Sequence, residues 1–248
     1  MSNPLLSIII PAHNEERRLP RTLEQVLAFL GQENYAAEVL IVENGSTDRT
    51  FEIAKGYADK HGNVDVVHTS ESGKGLAVRL GMLAARGEYR FMCDADLSMP
   101  IEQVRRFLPP ALTDFDVAIG SREMGGARRF DEPAHRHLGG RLINVIIRSL
   151  ILPTLQDTQC GFKCFRAPIA EDLFRRQTMD GWSFDIELLF VAYRRGYQVV
   201  EIPIDWYYRR ESKVSAVRDA FRMIGDILRI RANARRGMYD ATQTEPGV

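Results

Sequence analysis

The sequence is poor in cysteine, carries no net charge and has no long apolar run, and each shortage removes a class of protein. Its three cysteines, Cys93, Cys160 and Cys164, are an odd number with no histidine at zinc-ligand spacing. Neither a disulfide framework nor a zinc module is expected, and the thiols are read as reduced, in a cytosolic setting. Lysine plus arginine and aspartate plus glutamate number 33 each, so bulk attraction to nucleic acid is missing and no nucleic-acid partner is expected. The nearest approach to a membrane span, Leu142 to Leu155, is interrupted by Arg148 and Pro153, whereas a span needs about 20 predominantly apolar residues. The apolar start from Leu5 to Ile10 meets Pro11 and Glu15-Glu16-Arg17-Arg18 too soon for a secretory leader. Any membrane contact is therefore expected at the surface, peripheral and on the cytoplasmic face.

What is present supports one large domain. At 248 residues and 45% hydrophobic content the chain can bury a full core. Short β-rich runs at Leu6 to Ile10, Val39 to Val42, Val64 to His68, Tyr89 to Cys93 and Val117 to Ile119 read as strands. Helical patterns at Leu19 to Leu30, Thr47 to Tyr57 and Gly75 to Ala85 fall between them. This alternation predicts an α/β fold, a mostly parallel sheet with right-handed crossovers and helices on both faces. Ligands of such sheets bind beyond the carboxyl ends of the strands.

Polar residues gather at those ends. Pro11-Ala12-His13-Asn14-Glu15 follows the first strand, Glu43-Asn44-Gly45-Ser46-Thr47-Asp48 the second and Asp94-Ala95-Asp96 the fourth. Side chains two apart on an extended chain share a face, so Asp94 and Asp96 can address one ligand. A hard divalent cation suits them, because Mg²⁺ takes one or two carboxylates and fills its shell with water and phosphate oxygens. The competing reading makes Asp96 and the Ser46-Thr47-Asp48 group helix caps. Ser72-Gly73-Lys74-Gly75 is not a P-loop, because His68 stands where the first glycine is required. Lys74 at a helix start can nevertheless meet a diphosphate.

The second half is basic. Gly125-Gly126-Ala127-Arg128-Arg129 reads as a loop, and a helix is expected from about His135 to Leu152 with Arg136, Arg141 and Arg148. Arginine forks suit phosphate, and so many beside an apolar helix suggest an anionic ligand attached to a lipid. Asp157-Thr158-Gln159-Cys160-Gly161-Phe162-Lys163 reads as a turn entering a strand. Asp185 and Glu187 follow Trp182 and Phe184, two aromatics expected in the core. From Asp205 to Arg236 nine basic residues face four acidic ones. Val217, Phe221, Ile224 and Leu228 are read as one apolar helix face, packed on the domain or on a membrane surface. The expected division is a catalytic domain over 1–210, a basic amphipathic helix over 211–237 and a disordered tail over 238–248.

Ser7 to Glu16, Val42 to Asp48 and Asp94-Ala95-Asp96 together resemble the inverting GT-A glycosyltransferases of family 2, and the likeness runs from about Leu5 to Tyr239. Asp157 to Lys163 and the segment from Ser212 to Arg231 look most like the dolichyl-phosphate β-glucosyltransferase branch of the polyprenyl-phosphate sugar synthases. The resemblance implies a GT-A (Rossmann-like) fold and inverting transfer of a hexose, glucose first, from a UDP-sugar to a polyprenyl phosphate with Mg²⁺ or Mn²⁺. A GDP-mannose donor and a soluble alcohol acceptor are its alternatives. Pro11, Ala12, Glu15 and Glu43 would hold the nucleoside, with Asn14 in the same loop. Asp94 would meet the nucleotide, Asp96 the metal-bound diphosphate, and Arg122 and Arg136 the acceptor phosphate. Asp185 would organise the sugar or the site, with Glu187 second to it. The chain has Glu43-Asn44 where the family usually has two aspartates, and the membrane anchor of some relatives is not expected in it. Outside the family, an aspartyl-phosphate phosphatase would need its first acid on the first strand, and here three strands precede Asp94. An inactive lipid-surface adaptor is the non-enzymatic alternative.

Overall fold

Leu6, Ile8 and Ile10 face one side of their strand and Ile9 the other, all fully buried. Strands that are apolar on both faces must be covered on both faces. In the computed structural model, which describes residues 3–133, 145, 147–208 and 216–240, two hydrophobic clusters do this. β1 (Leu6–Ala12), α1 (Leu19–Leu30), β2 (Ala37–Asn44), α2 (Thr50–Ala58), β3 (Val64–Thr69), α3 (Lys74–Ala84) and β4 (Tyr89–Cys93) follow one another as the sequence predicts. The helix predicted from Thr47 begins instead at Thr50, because the residues before it are held in an Asx turn: Asp48 Oδ1 accepts from the Thr50 N–H at 3.0 Å, with Arg49 in the cap position.

After a 3-10 helix (Ile101–Phe107) come β5 (Val117–Ser121), β6 (Arg128–Phe130), β7 (Phe162–Arg166), α4 (Ala167–Arg176), α5 (Phe184–Arg194), β8 (Val199–Pro203), β9 (Asp205–Tyr207) and α6 (Ala216–Arg235). Seven strands form one sheet in the order β3-β2-β1-β4-β7-β5-β8, with β6 and β9 pairing apart. All neighbours in the large sheet are parallel except β7, which runs against both β4 and β5. That reversal matters for the site. β7 starts where β4 ends, with Phe162 opposite Cys93, so the Asp157–Gly161 turn arrives beside Asp94. Arg128 and Arg129, which the pattern reads as loop, form with Phe130 the short strand β6.

α6 revises the predicted apolar face. Met223, Ile227, Ile230 and Ala234 are buried in the cluster that holds α3 and α5, whereas Leu228 is 60% exposed. The helix carries a second apolar stripe beside the predicted one, and the core takes that stripe, the one containing Ile227. In α6 the side chains described begin at Arg222, and Arg222, Arg229, Arg231 and Arg235 are exposed. The tail predicted from residue 238 is corrected for its first three residues. Tyr239 is fully buried, its hydroxyl donates to Glu187 Oε1 at 2.7 Å, and Asp240 pairs with Arg194 at 2.8 Å. Most of the helix predicted from His135 to Leu152, including Arg136 and Arg141, lies outside the described residues; Arg148 is exposed on a helical turn. The cysteines are free and buried, and no helix among the described residues is long and apolar enough to cross a membrane.

Candidate active site

The two N-terminal acid loops are stitched together at the carboxyl edge of the sheet. Asn14, at a left-handed φ of 54°, donates its N–H to Ser46 Oγ at 3.0 Å and accepts the Thr47 N–H on Oδ1 at 2.9 Å. His13 Nδ1 meets the Asn44 carbonyl at 2.7 Å, and the Glu15 N–H donates to Thr50 Oγ1 at 2.8 Å. Glu15 itself forks onto Arg18 at 2.5 and 2.6 Å. Pro11 and the buried Ala12 close β1 against Val42 and Glu43. Glu43 is buried beneath this floor, accepting the Ser46 N–H at 2.6 Å and lying 2.5 Å from His68 Nδ1. Burial would raise its carboxyl, but Ser46 and His68 hold it below its ordinary value.

Asp94 and Asp96 stand at the end of β4 as the spacing predicts. Lys74 Nζ lies 2.7 Å from Asp94 Oδ1. Burial would lower the Lys74 pKa, yet Asp94, Asp185 and Asp96 raise it, so the ammonium is a fixed positive charge in the site. Asp96 uses Oδ1 to accept the Ser98 N–H at 2.9 Å, a local turn rather than the helix cap of the competing reading, since the 3-10 helix starts at Ile101 with Pro100 in the cap position. On the far side Gly161 presses against Asp94: a Cβ there would sit 1.8 Å from Oδ2. Only a residue without a side chain lets the β7 turn approach that carboxylate. Among the described residues no three His, Cys, Asp or Glu side chains form a metal cluster. Two hard carboxylates with room left for water and phosphate oxygens fit Mg²⁺ or Mn²⁺ bound together with a diphosphate.

Lys163 is the residue that sequence reasoning passed over. In register with Met92, it projects to the α3 and α5 side, 1% exposed, donates to the Cys160 carbonyl at 2.5 Å and lies 2.7 Å from Asp185 Oδ1. The charges are close, but Oδ1 has no hydrogen-bond donor aligned on it. Burial raises the Asp185 carboxyl against the pull of Lys163 and Lys74. Glu187 serves elsewhere: it accepts the backbone N–H groups of Thr178 and Met179 and the Tyr239 hydroxyl, fixing the loop before α5. The signal for Lys163 was a lone lysine within an apolar strand, Phe162-Lys163-Cys164-Phe165, which is tolerated only with a partner.

Arg122 lies just past β5. Its Nε and NH2 fork onto Asp157 at 2.7 and 2.9 Å, its own N–H donates to the same carboxylate at 3.0 Å, and Trp206 lies 5.6 Å below the guanidinium. Burial favours the neutral forms of both, but the pairing overrides it, raising Arg122 and lowering Asp157. Glu201 in turn accepts the Asp157 N–H at 3.0 Å. The fork leaves three of the five guanidinium N–H donors for a ligand. The structure therefore brings Arg122 to the edge that holds Asp94, Asp96 and Asp185; its predicted companion Arg136 is outside the described residues. Phe184 is core as expected, but Trp182 is not, being 64% exposed beside Lys74.

A mixed sheet covered on both faces, with a carboxylate pair and cations at its carboxyl edge, is a GT-A, Rossmann-like fold. It resembles crystal structures of glucosyl-3-phosphoglycerate synthase from Mycobacterium tuberculosis. With the complex containing uridine diphosphate the TM-score is 0.66 at 18% identity, covering 92% of this chain and 80% of that one. With the complex containing Mn²⁺, UDP-glucose and phosphoglyceric acid it is 0.65 at 17% identity, over the same shares. The sequence pattern described as Glycosyl transferase family 2 matches residues 7–174, and the chain belongs to that family. Among curated relatives, the dolichyl-phosphate β-glucosyltransferase of Drosophila melanogaster is 37% identical over 81% of this chain, which spans 66% of that protein. The human protein of the same description is 30% identical over 96% of this chain and 78% of its own length.

Proposed function

We propose that this protein transfers glucose from UDP-glucose to a polyprenyl or dolichyl phosphate, with inversion at the anomeric carbon. The observation that carries the reading is the meeting, at one sheet edge, of a carboxylate pair with Lys74 and of a guanidinium held by Asp157. The first pair suits a diphosphate donor, and the second an acceptor phosphate. The names of the relatives support the sugar and the lipid. The exposed Arg222, Arg229, Arg231 and Arg235 beside Leu228 on α6 support attachment to an anionic membrane surface, on the cytoplasmic side.

The stitched loops of β1 and β2 would form the nucleoside floor, with Pro11, Ala12 and Asn14 at its rim and Glu43 bracing it from below. Asp96, with Asp94, would hold Mg²⁺ or Mn²⁺, which when bound supplies positive charge to the leaving diphosphate. Lys74 adds to that charge from the protein side and needs no reorganisation as the charge grows. Arg122, oriented by Asp157, offers its remaining donors to the acceptor phosphate. That phosphate attacks C1 as the C1–O bond to the diphosphate breaks, and UDP leaves. A phosphate monoester has a second pKa of about 6 and is largely dianionic at neutral pH. No proton must be removed, so Asp185 is assigned to hold sugar hydroxyls rather than to act as base.

The test is a panel of UDP- and GDP-sugars with a divalent cation and a short polyprenyl phosphate, read by product mass. Glucosyl-phosphoryl-polyprenol from UDP-glucose is expected. A mannosyl product from GDP-mannose alone replaces the donor, and no glycosyl-phosphate lipid from any donor refutes the reading.

A further inference from the structure

Trp182 is a large apolar ring left mostly in water, on a loop tied down on both sides of it. On its N-terminal side, Glu187 accepts the N–H groups of Thr178 and Met179 at 3.0 and 2.9 Å. The Asp180 carbonyl accepts the Leu76 N–H at 3.2 Å, and the Asp180 carboxylate pairs with Arg79 at 3.1 Å. Gly75 lets this loop lie against α3, since a Cβ there would come within 2.5 Å of the Met179 carbonyl. On its C-terminal side, Ser183 Oγ donates to Asp226 Oδ2 at 2.6 Å and α5 begins. The ring centroid lies 5.1 Å from Lys74 Nζ, which touches Asp94. A tryptophan can bury 150–250 Å², and here 64% of it stays exposed at the mouth of a polar site.

The geometry points to Trp182 as the stacking platform for the hexose of the donor, and so as a determinant of which hexose is accepted. The inference rests on the UDP-sugar reading above. Lys74 reaches both the ring and the Asp94 carboxylate where a diphosphate would bind, so the ring lies one side chain away from that diphosphate. Asp185, in the first turn of the helix that follows Trp182, is 4% exposed and ion-paired through Oδ1 with Lys163 at 2.7 Å. An exposed apolar plate at the mouth of a charged site, next to Lys74, is the pairing that a sugar needs, C–H groups against the ring and hydroxyls toward polar groups. A pyranose with only equatorial ring hydroxyls presents C–H groups on both faces, whereas an axial hydroxyl at C2 or C4 puts oxygen on one of them. The other tryptophan, Trp206, lies under Arg122 on the acceptor side, so the two rings divide the site.

The experiment compares the full chain with Trp182→Ala and Trp182→Phe. Calorimetry with Mn²⁺ measures UDP-glucose against UDP, and turnover is compared for UDP-glucose, UDP-galactose and GDP-mannose. Trp182→Ala is expected to weaken UDP-glucose by roughly 3- to 10-fold, the worth of one aromatic contact, with UDP shifted by less than about 2-fold. Trp182→Phe should recover most of the loss, and the preference for UDP-glucose over its C4 epimer UDP-galactose should narrow in the alanine variant. Equal weakening of UDP and UDP-glucose overturns the platform, because the ring would then act only through Lys74. A rise confined to the KM of the polyprenyl phosphate overturns it also. If the unaltered protein binds neither UDP nor UDP-glucose, the donor reading fails first and takes the platform with it.

Discussion

Replacing Asp157 with asparagine isolates the charge of the pair that aims Arg122. Asp157 is fully buried and carries a forked guanidinium, a backbone N–H of Arg122 and, through its own N–H, Glu201. Removing one partner of a buried pair typically costs about 3–5 kcal/mol, because the remaining charge is left unpaired in a poor solvent. Asparagine keeps one acceptor oxygen, and the Arg122 side chain is 21% exposed, so water softens the loss. We expect about 2–3 kcal/mol, near the low end of that range. Equilibrium urea unfolding should show it as a lower midpoint with unchanged slope, about 1 M lower for a slope near 2.5 kcal/mol/M.

The pH dependence makes the prediction sharper. Asp157 is held below its ordinary value, so the folded state binds fewer protons there than the unfolded chain. Its stabilisation is complete above the unfolded pKa of about 3.9 and is lost as pH falls through the lower folded value. The difference between the native protein and the asparagine variant should therefore stay flat from pH 8 to about 4.5 and shrink only below that. A difference under about 1 kcal/mol, or one that fades between pH 7 and 5, would refute the buried-pair account. The variant should also raise the KM for the acceptor phosphate more than that for the donor, since Arg122 loses its orienting partner.

Two further perturbations probe the other half of the site. Gly161→Ala places a Cβ against Asp94 Oδ2 and should weaken nucleotide-sugar binding about 10-fold or more, for a stability cost of about 1–3 kcal/mol. Calorimetry beside far-UV circular dichroism checks both, and unchanged binding would show that Asp94 need not stay in place. At limiting acceptor the rate should fall about 10-fold per pH unit below the acceptor phosphate's pKa of about 6, with the same profile in Asp185→Asn. Abolished turnover in that variant with donor binding and folding intact would instead make Asp185 a base.

The first half of the fold was legible because its strands are apolar on both faces and its punctuation falls at strand ends. Alternation of Ile9 with Leu6, Ile8 and Ile10 gives the sheet, and parallel order then carries three acid loops to one edge. Asp48 shows the limit of such reading. The pattern places the helix start at Thr47, but Thr47, Asp48 and Arg49 are held as a turn by the Asp48 carboxylate and the helix begins at Thr50. Trp182 and Phe184 show another limit. They are two residues apart in similar company, and only the ties of Glu187, Arg79 and Gly75 decide that one is core and the other faces water.

The acceptor half was harder to read because it depends on a strand running the other way. A reader of the sequence sees Asp157 to Lys163 after a stretch of more than sixty residues beyond Asp94, with nothing local to say that they meet. Antiparallel pairing of β7 with β4 sets the entry of one strand against the exit of the other. Three contacts then follow from the register alone. Gly161 lies against Asp94, Lys163 is sent to the face of α5 where Asp185 waits, and Asp157 is left one strand over, beside Arg122 at the end of β5. Burial makes each of these charges costly by itself, and the reversed strand supplies the partners: Lys163 for Asp185 and Asp157 for Arg122. The same polypeptide reversal that closes the core thus also brings a cation for phosphate beside the carboxylates, which is why neither half of the sequence reads as a complete site without the other.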